Sequence, residues 1–264
     1  MNQTERRIFL IRELLREEPR YRRAAVPEGE QEQRELLRAL MNVRPPRAVS
    51  EEFLRVQDAY LQQVNAERGV TRPEELTPAE GELYLWQGDI TTLACDAIVN
   101  AANSGMTGCY RPLHNCIDNC IHTYAGVQLR LRCAELMAAQ GHEEPTGQAK
   151  LTPAYNLPSR YVIHTVGPIV DGRLTREHRA LLASSYRACL DAAADVGCGS
   201  IALCCISTGV FGFPKREAAE IAVQTVKDWK AENASAIRVI FNVFGDEDLA
   251  IYRGILSGRA GKEG

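Results

Sequence analysis

The chain has 264 residues, of which 45% are hydrophobic and 25% charged, and its formal net charge is −3 at pH 7. This length and composition allow a full hydrophobic core, and the slight negative charge excludes the basic surface typical of proteins that bind nucleic acid or anionic membranes. No apolar run in the sequence approaches the length of a membrane span, and residues 1–20 carry too many charges for a secretory signal peptide. We therefore expect a cytoplasmic protein.

Residues 1–80 predict helices. Apolar residues recur at intervals of three and four, between charged residues, in the segments 8–15, 36–41 and 53–61. This spacing places the apolar side chains on one face of a helix. Ser50 followed by two glutamates is typical of a helix N-terminus. The sequence thus predicts an N-terminal helical extension of about three amphipathic helices.

From residue 81 onward, predicted strands alternate with predicted helices. The strand segments are 82–90, 95–103, 147–154, 160–168, 200–207 and 237–245, and the helical stretches are 117–140, 176–196, 214–233 and 246–257. Alternation of this kind predicts a largely parallel sheet covered by helices on both faces. Ligands of such sheets bind at the carboxyl ends of the strands.

Four of these strand segments carry motifs that belong together. They are "GDIT" (88–91), "DAIVNAAN" (96–103), "YVIHTVGP" (161–168) and "ISTGVFGFP" (206–214), in that order. Together they resemble the macrodomain family, the ADP-ribose-binding fold. The resemblance implies the α/β class: a three-layer α/β/α sandwich with a mostly parallel mixed sheet over residues 81–258, added to the helical extension at 1–80.

The glycine-rich motif at 206–214 suits a diphosphate. A strand-to-helix turn supplies several backbone N–H donors together with the helix dipole, and glycine allows close approach of the backbone. By resemblance, Asp89 accepts a hydrogen bond from the adenine amino group, Asn103 holds the distal ribose, and Phe244 stacks on the adenine. The implied ligand-binding residues are Asp89, Ile90, Asn103, Ser207, Thr208, Gly209, Val210, Phe211, Gly212 and Phe244.

The segment "GCYRPLHNC" at 108–116 departs from the glycine run that hydrolytic macrodomains usually carry here. Its Cys109, His114 and Cys116 have the side chains that zinc prefers, and three protein ligands leave one position open in a catalytic zinc site. The segment resembles the zinc-dependent branch of the family, which implies a Zn²⁺ cofactor. Two other interpretations stay open: Cys120 closes a four-ligand structural site, or the thiols form a metal-free redox or core cluster.

Asp118 follows this segment. "CIDNCIH" resembles the stretch that opens the corresponding helix elsewhere in the family, and by that match Asp118 faces the distal ribose. A first-turn acid stabilised by the helix dipole is the alternative. We interpret the remaining polar residues near these motifs as structural: Asn100, His122, Cys133 and His164.

The resemblance implies a zinc-dependent hydrolase that removes ADP-ribose from modified acidic side chains of proteins, with Asn103 and Asp118 as catalytic residues. The expected partner is ADP-ribose or a mono-ADP-ribosylated protein, and neither nucleic acid nor a membrane. One alternative is a non-catalytic reader of ADP-ribosylated proteins with a structural zinc. Another is a deacylase of small esters such as O-acetyl-ADP-ribose, which has less use for the helical extension.

Overall fold

A computed structural model describes residues 1–21 and 23–258, which form eight α-helices and a seven-stranded sheet. The helices are α1 Gln3–Glu17, α2 Glu30–Val43, α3 Glu51–Glu67, α4 Ile117–Ala125, α5 Val127–Gln140, α6 Arg176–Asp195, α7 Lys215–Asn233 and α8 Asp246–Leu256. The strands are β1 Pro78–Glu80, β2 Leu83–Gln87, β3 Ala97–Ala101, β4 Ala149–Pro153, β5 Tyr161–Thr165, β6 Ser200–Leu203 and β7 Arg238–Val243. Within the described residues, every helix is too short or too polar to cross a membrane.

The three predicted N-terminal helices are present as α1, α2 and α3. Asn2 and Glu5 form a capping box at the start of α1, and the Ser50 hydroxyl accepts a hydrogen bond from Phe53 N at the start of α3. The apolar faces of the three helices pack into a cluster of their own, which also includes Val127 from α5. Periodicity therefore predicted this part of the fold correctly, because burial of a single face dictates the spacing.

The sheet has the order β1-β2-β7-β6-β3-β5-β4. All neighbours from β2 to β5 are parallel, while β1 and β4 are antiparallel edge strands. The predicted α/β class and mostly parallel mixed sheet are confirmed. The short strand β1 was not predicted, because its three residues are exposed and carry no apolar alternation.

The predicted helix at 117–140 is two helices. Gly126 separates α4 from α5 with a φ of 102°, a backbone conformation outside the helical region. A side chain at this position would collide with two glutamines, because a Cβ atom would lie 2.6 Å from Gln128 Oε1 and 2.7 Å from Gln57 Nε2. The break turns α4 away from α5 and leaves α4 with its first turn at the carboxyl end of the sheet.

Candidate active site

A cleft of about 520 Å³ opens where β3, β6 and β7 end. Its walls are formed by the segments that follow these strands and by the first turn of α4. The lining residues are Ala101, Ala102, Asn103, Cys109, His114, Cys116, Ile117, Asp118, Cys204, Cys205, Ser207, Thr208, Gly209, Val210, Phe211, Asn242, Phe244 and Asp248. Most of the residues predicted from the sequence to form the site are therefore brought together in one cleft.

The segment between β3 and α4 folds back on itself, so that Cys109 and Cys116 meet. A backbone hydrogen bond from His114 N to Arg111 O closes a turn in which Pro112 precedes Leu113, whose φ is +57°. A proline followed by a residue with positive φ is the geometry of a type II turn. This turn directs the chain back towards residue 109.

The donor atoms of Cys109, His114 and Cys116 all lie within 4.8 Å of one another. Cys109 Sγ is 3.6 Å from His114 Nδ1, and Cys116 is the N-cap of α4, with its sulfur accepting a hydrogen bond from Asn119 N. Two thiols and an imidazole at these separations fit a zinc ion in type and in number. Cys120 Sγ instead lies 3.8 Å from Arg38 Nη2, outside this group.

Burial determines the charge of the Cys116 thiol. Cys116 lies at a helix N-terminus, where the dipole favours a thiolate. Burial nevertheless raises the pKa of Cys116 to about 12, and the hydrogen bond from Asn119 opposes this rise only in part. A metal would therefore have to displace a proton from this thiol on binding.

Asp118 lies in the first turn of α4 and is almost fully buried. One carboxylate oxygen accepts a hydrogen bond from Asn100 Nδ2 at 2.8 Å, and the other is 3.5 Å from Asn103 Nδ2. Burial raises the pKa of Asp118 to about 6, although the Asn100 hydrogen bond and the charge of Arg130 oppose this rise. A carboxyl group with such a pKa can exchange protons near neutral pH.

His122, Cys133 and His164 form a second, fully buried group of potential metal ligands. Both ring nitrogens of His164 are already engaged, since Nδ1 lies 3.1 Å from Asn100 Nδ2 and Nε2 lies 3.0 Å from Thr152 Oγ1. Only two of the three side chains remain as donors, fewer than a zinc site needs. The contacts of His164 agree with its structural interpretation, whereas both ring nitrogens of the buried His122 have no hydrogen-bond partner among the described residues.

The loop after β6 offers backbone donors to the cleft. Among the described residues, the N–H groups of Gly209, Val210 and Phe211 have no hydrogen-bond acceptor, and all three residues line the cleft. Gly212 has a φ of +69° and does not line the cleft; a Cβ there would lie 3.0 Å from Val170 O. Its role is to let the loop turn back into α7, and the predicted contact of Gly212 with a ligand stays a prediction.

Asp89 and Ile90 do not themselves line the cleft, although Gly88, just before them, accepts a hydrogen bond from the Nδ2 of Asn242 in the cleft wall. Asp89 caps a short 3₁₀ turn by accepting hydrogen bonds from Thr91 N and Thr91 Oγ1, and its second oxygen pairs with Arg68 at the end of α3. Ile90 is buried in the core. The predicted contacts of Asp89 and Ile90 with an adenine are therefore not tested by these positions.

Sequence reasoning missed part of the wall. The predicted strand segment 200–207 includes Cys204 and Cys205, but β6 ends at Leu203, so both cysteines follow the strand and line the cleft. Cys204 is also buried in the hydrophobic core, and Cys205 packs against it. Only a strand end at Leu203, four residues before the end of the predicted segment, would have indicated their position. Asn242 and Asp248 also line the cleft.

Comparison with known proteins agrees with this geometry. The Macro domain family matches residues 99–222. A protein-ADP-ribose hydrolase of Treponema medium is 60% identical over 261 residues, covering 97% of this chain and all of the relative. The chain belongs to the macrodomain family.

Two further matches support this assignment. A protein-ADP-ribose hydrolase of Staphylococcus aureus (strain MRSA252) is 49% identical over 247 residues, 93% of this chain and 92% of the relative. Among solved structures, the Trypanosoma brucei macrodomain in complex with ADP-ribose superposes with a TM-score of 0.65 at 29% identity, covering 83% of this chain and 94% of that chain. The match to the Treponema protein spans nearly the whole chain, so that relative also contains a segment similar to the helical extension.

Proposed function

We propose that this macrodomain is a zinc-dependent protein mono-ADP-ribosyl hydrolase that removes ADP-ribose from modified acidic side chains. The observation that carries the proposal is the position of Cys109, His114 and Cys116: their donor atoms converge, and all three residues line the same cleft as Asn103 and Asp118. The two relatives named above, which are similar over almost their full length, are called protein-ADP-ribose hydrolases, and this supports the hydrolase part of the proposal.

The nucleotide would bind across the carboxyl end of the sheet. The unpaired N–H groups of Gly209, Val210 and Phe211 suit the diphosphate, because backbone donors in a loop preceding a helix favour anions. Phe244 is largely exposed at the edge of the cleft and offers its ring to the adenine. Bound in this direction, the distal ribose would lie beside Asn103 and Asp118.

Asn103 and Asp118 would orient the distal ribose. Asn103 Nδ2 donates to Gly108 O at 3.1 Å, which ties the side chain to the segment that carries Cys109. Asp118 is held by Asn100 and has the raised pKa of a group that can hold or release a proton at a ribose hydroxyl. Positioning of the labile bond by remote contacts can contribute about 7–11 kcal/mol in well-oriented systems.

Cys109, His114 and Cys116 would hold the zinc ion at the ribose end of the cleft. Zinc bound there supplies Lewis acidity at a ribose or ester oxygen, or lowers the pKa of a bound water. Cys120 faces Arg38 and not these ligands, so three protein ligands would leave the fourth position open to the cleft. This arrangement favours the catalytic site over the closed, structural one.

The test measures release of ADP-ribose from a protein that carries it on a glutamate or aspartate. The native protein is compared with protein stripped of metal and then given zinc back, and ADP-ribose binding is measured in each state by calorimetry. We expect release to disappear on stripping and to return with zinc. Cys116→Ser should lower turnover at least about 100-fold, since even outer-sphere partners of metals contribute about 10- to 100-fold.

Cys120→Ser is the matched control, and it should retain turnover because its sulfur lies outside the ligand group. Full activity of the metal-free protein would show that zinc takes no part in the reaction. Tight binding of ADP-ribose without release in any metal state would contradict a hydrolase and identify a reader. Release from small O-acetyl esters but not from protein would identify the deacylase.

A further inference from the structure

The N-terminal extension holds the segment that carries the cysteine and histidine ligands. Arg38 on α2 places Nη2 within 2.8 Å of His114 O, 3.1 Å of Asn115 Oδ1 and 3.2 Å of Asn119 Oδ1. One guanidinium nitrogen thus binds the backbone of a proposed ligand and the side chains on either side of Cys116. These contacts span 76 or more positions of sequence and join the extension to the macrodomain.

Asn42, one turn later on α2, holds the same segment at Leu113. Its Oδ1 accepts a hydrogen bond from Leu113 N at 3.0 Å, and its Nδ2 donates to Thr123 Oγ1 on α4 at 2.9 Å. Leu113 has a φ of +57°, which for a residue other than glycine costs on the order of 1–3 kcal/mol and persists only where the surroundings enforce it. Asn42 supplies such a constraint immediately before His114.

Arg130 on α5 fixes the other end of the segment. Its Nη1 donates to the last carbonyls of α2, at 2.7 Å from Asn42 O and 2.6 Å from Arg44 O, and its Nη2 lies 3.5 Å from Cys109 O. The guanidinium also stacks over the Tyr110 ring, 4.2 Å from its centre. The C-terminus of α2 and the backbone of Cys109 are therefore joined through one buried side chain.

We propose that Arg38 and Asn42 of the extension, together with Arg130, are positioning residues for the metal centre, and that the helical extension is a structural part of that centre. This inference rests on the proposed function. The reason is the segment itself: residues 102–116 contain no helix or strand, and within them only a turn at Arg111–His114 and the Asn103–Gly108 hydrogen bond constrain the backbone. A ligand set held in its binding geometry avoids the entropy cost of ordering when the ion binds.

The experiment compares zinc affinity in full-length variants by competition with a chromophoric chelator. Arg38→Met should weaken zinc binding by about 10- to 100-fold, the range found for outer-sphere partners of metals. Asn42→Ala should weaken it in the same direction. Arg38→Lys should keep most of the affinity, because a single nitrogen makes the contacts of Arg38 and the lysine ammonium has three donors.

Arg34→Met is the matched control, one turn earlier on α2, where the arginine is exposed and pairs with Glu30. Zinc affinity should be unchanged in this variant. ADP-ribose affinity of the metal-free protein should be the same in all four variants, and with zinc present the loss should appear in kcat before KM. Native zinc affinity in both Arg38→Met and Asn42→Ala, or equal weakening in Arg34→Met, would overturn the inference. Absence of zinc binding by the native protein would instead overturn the proposed function.

Discussion

Asn100 lies between Asp118, at the cleft, and His164, in the core. Its Nδ2 donates to Asp118 Oδ1 and faces His164 Nδ1, which must therefore be the acceptor nitrogen. The proton of the ring is then on Nε2, which is directed at Thr152 Oγ1. This order of donors requires a neutral imidazole, and burial lowers the pKa of His164 to about 3.

The buried, neutral His164 predicts a loss of stability in acid. The unfolded chain takes up the proton near pH 6.5 and the folded chain only near pH 3, so between these values the unfolded state binds more protons and stability falls as the pH falls. Between pH 7 and pH 5 this difference corresponds to about 2 kcal/mol. Urea unfolding of the metal-free protein measures the drop in the free energy of unfolding between pH 7 and pH 5. This drop should be smaller in His164→Gln than in the native protein, by about 2 kcal/mol.

His142→Gln serves as the control for this titration. His142 is exposed, so its replacement should leave the slope of stability against pH as it is in the native protein. If the free energy of unfolding has the same slope against pH in His164→Gln and the native protein, the pKa of His164 is the same in the folded and unfolded states.

At the same scale, sequence reasoning singled out the cysteines and histidine proposed as zinc ligands, but not the residues that contact their segment. Cys109, His114 and Cys116 lie within eight positions, and their chemistry is evident from the residue types alone. Arg38 lies among charged residues of a predicted helix, and its sequence surroundings do not distinguish it from the exposed Arg34. Only the packing of α2 against α4 distinguishes the two, and that contact is not encoded in any local spacing.

At the scale of elements, apolar periodicity predicted each long helix, but it missed the break between α4 and α5. The segment 117–140 keeps a helical distribution of apolar residues across Gly126, and one glycine inside such a pattern is compatible with a continuous helix. The structure shows why this glycine ends α4: its φ of 102° is not accessible to a side-chain-bearing residue without strain. The strand ends were likewise predicted one to four residues too late, because the buried pattern continues into the loops that line the cleft.

Replacement of Gly126 tests the break directly. Gly126→Ala should lower the free energy of unfolding by about 1–3 kcal/mol, the cost of holding a residue with a side chain at a φ of 102°. Thermal and urea unfolding measure the change. Gly254→Ala is the control: it lies inside α8 with no atom within 4 Å of the new Cβ, and it should gain up to about 1 kcal/mol. Native stability of Gly126→Ala would mean that the two helices can be continuous.

At the scale of the whole molecule, the described residues form two apolar clusters with polar contacts between them. One fills the extension and the other the macrodomain, and Val127 of α5 belongs to the first. Asn65 of α3 donates to Asn156 O at 2.7 Å, and Gln57 Oε1 accepts from Val127 N at 3.0 Å. The boundary near residue 80 is therefore a boundary in the sequence pattern. Buried polar groups on its two sides satisfy each other's hydrogen bonds.

This dependence predicts that the extension and the macrodomain unfold together. The two tryptophans, Trp86 and Trp229, both lie in the macrodomain, so their fluorescence reports on that part alone, while far-ultraviolet circular dichroism reports on all helices. Leu14→Ala, in the core of the extension, should cost about 2–5 kcal/mol and shift both signals by the same amount. Leu129→Ala, in the macrodomain core, should do likewise. A tryptophan transition that stays in place in Leu14→Ala, while the dichroism transition moves, would show that the macrodomain is stable without the extension.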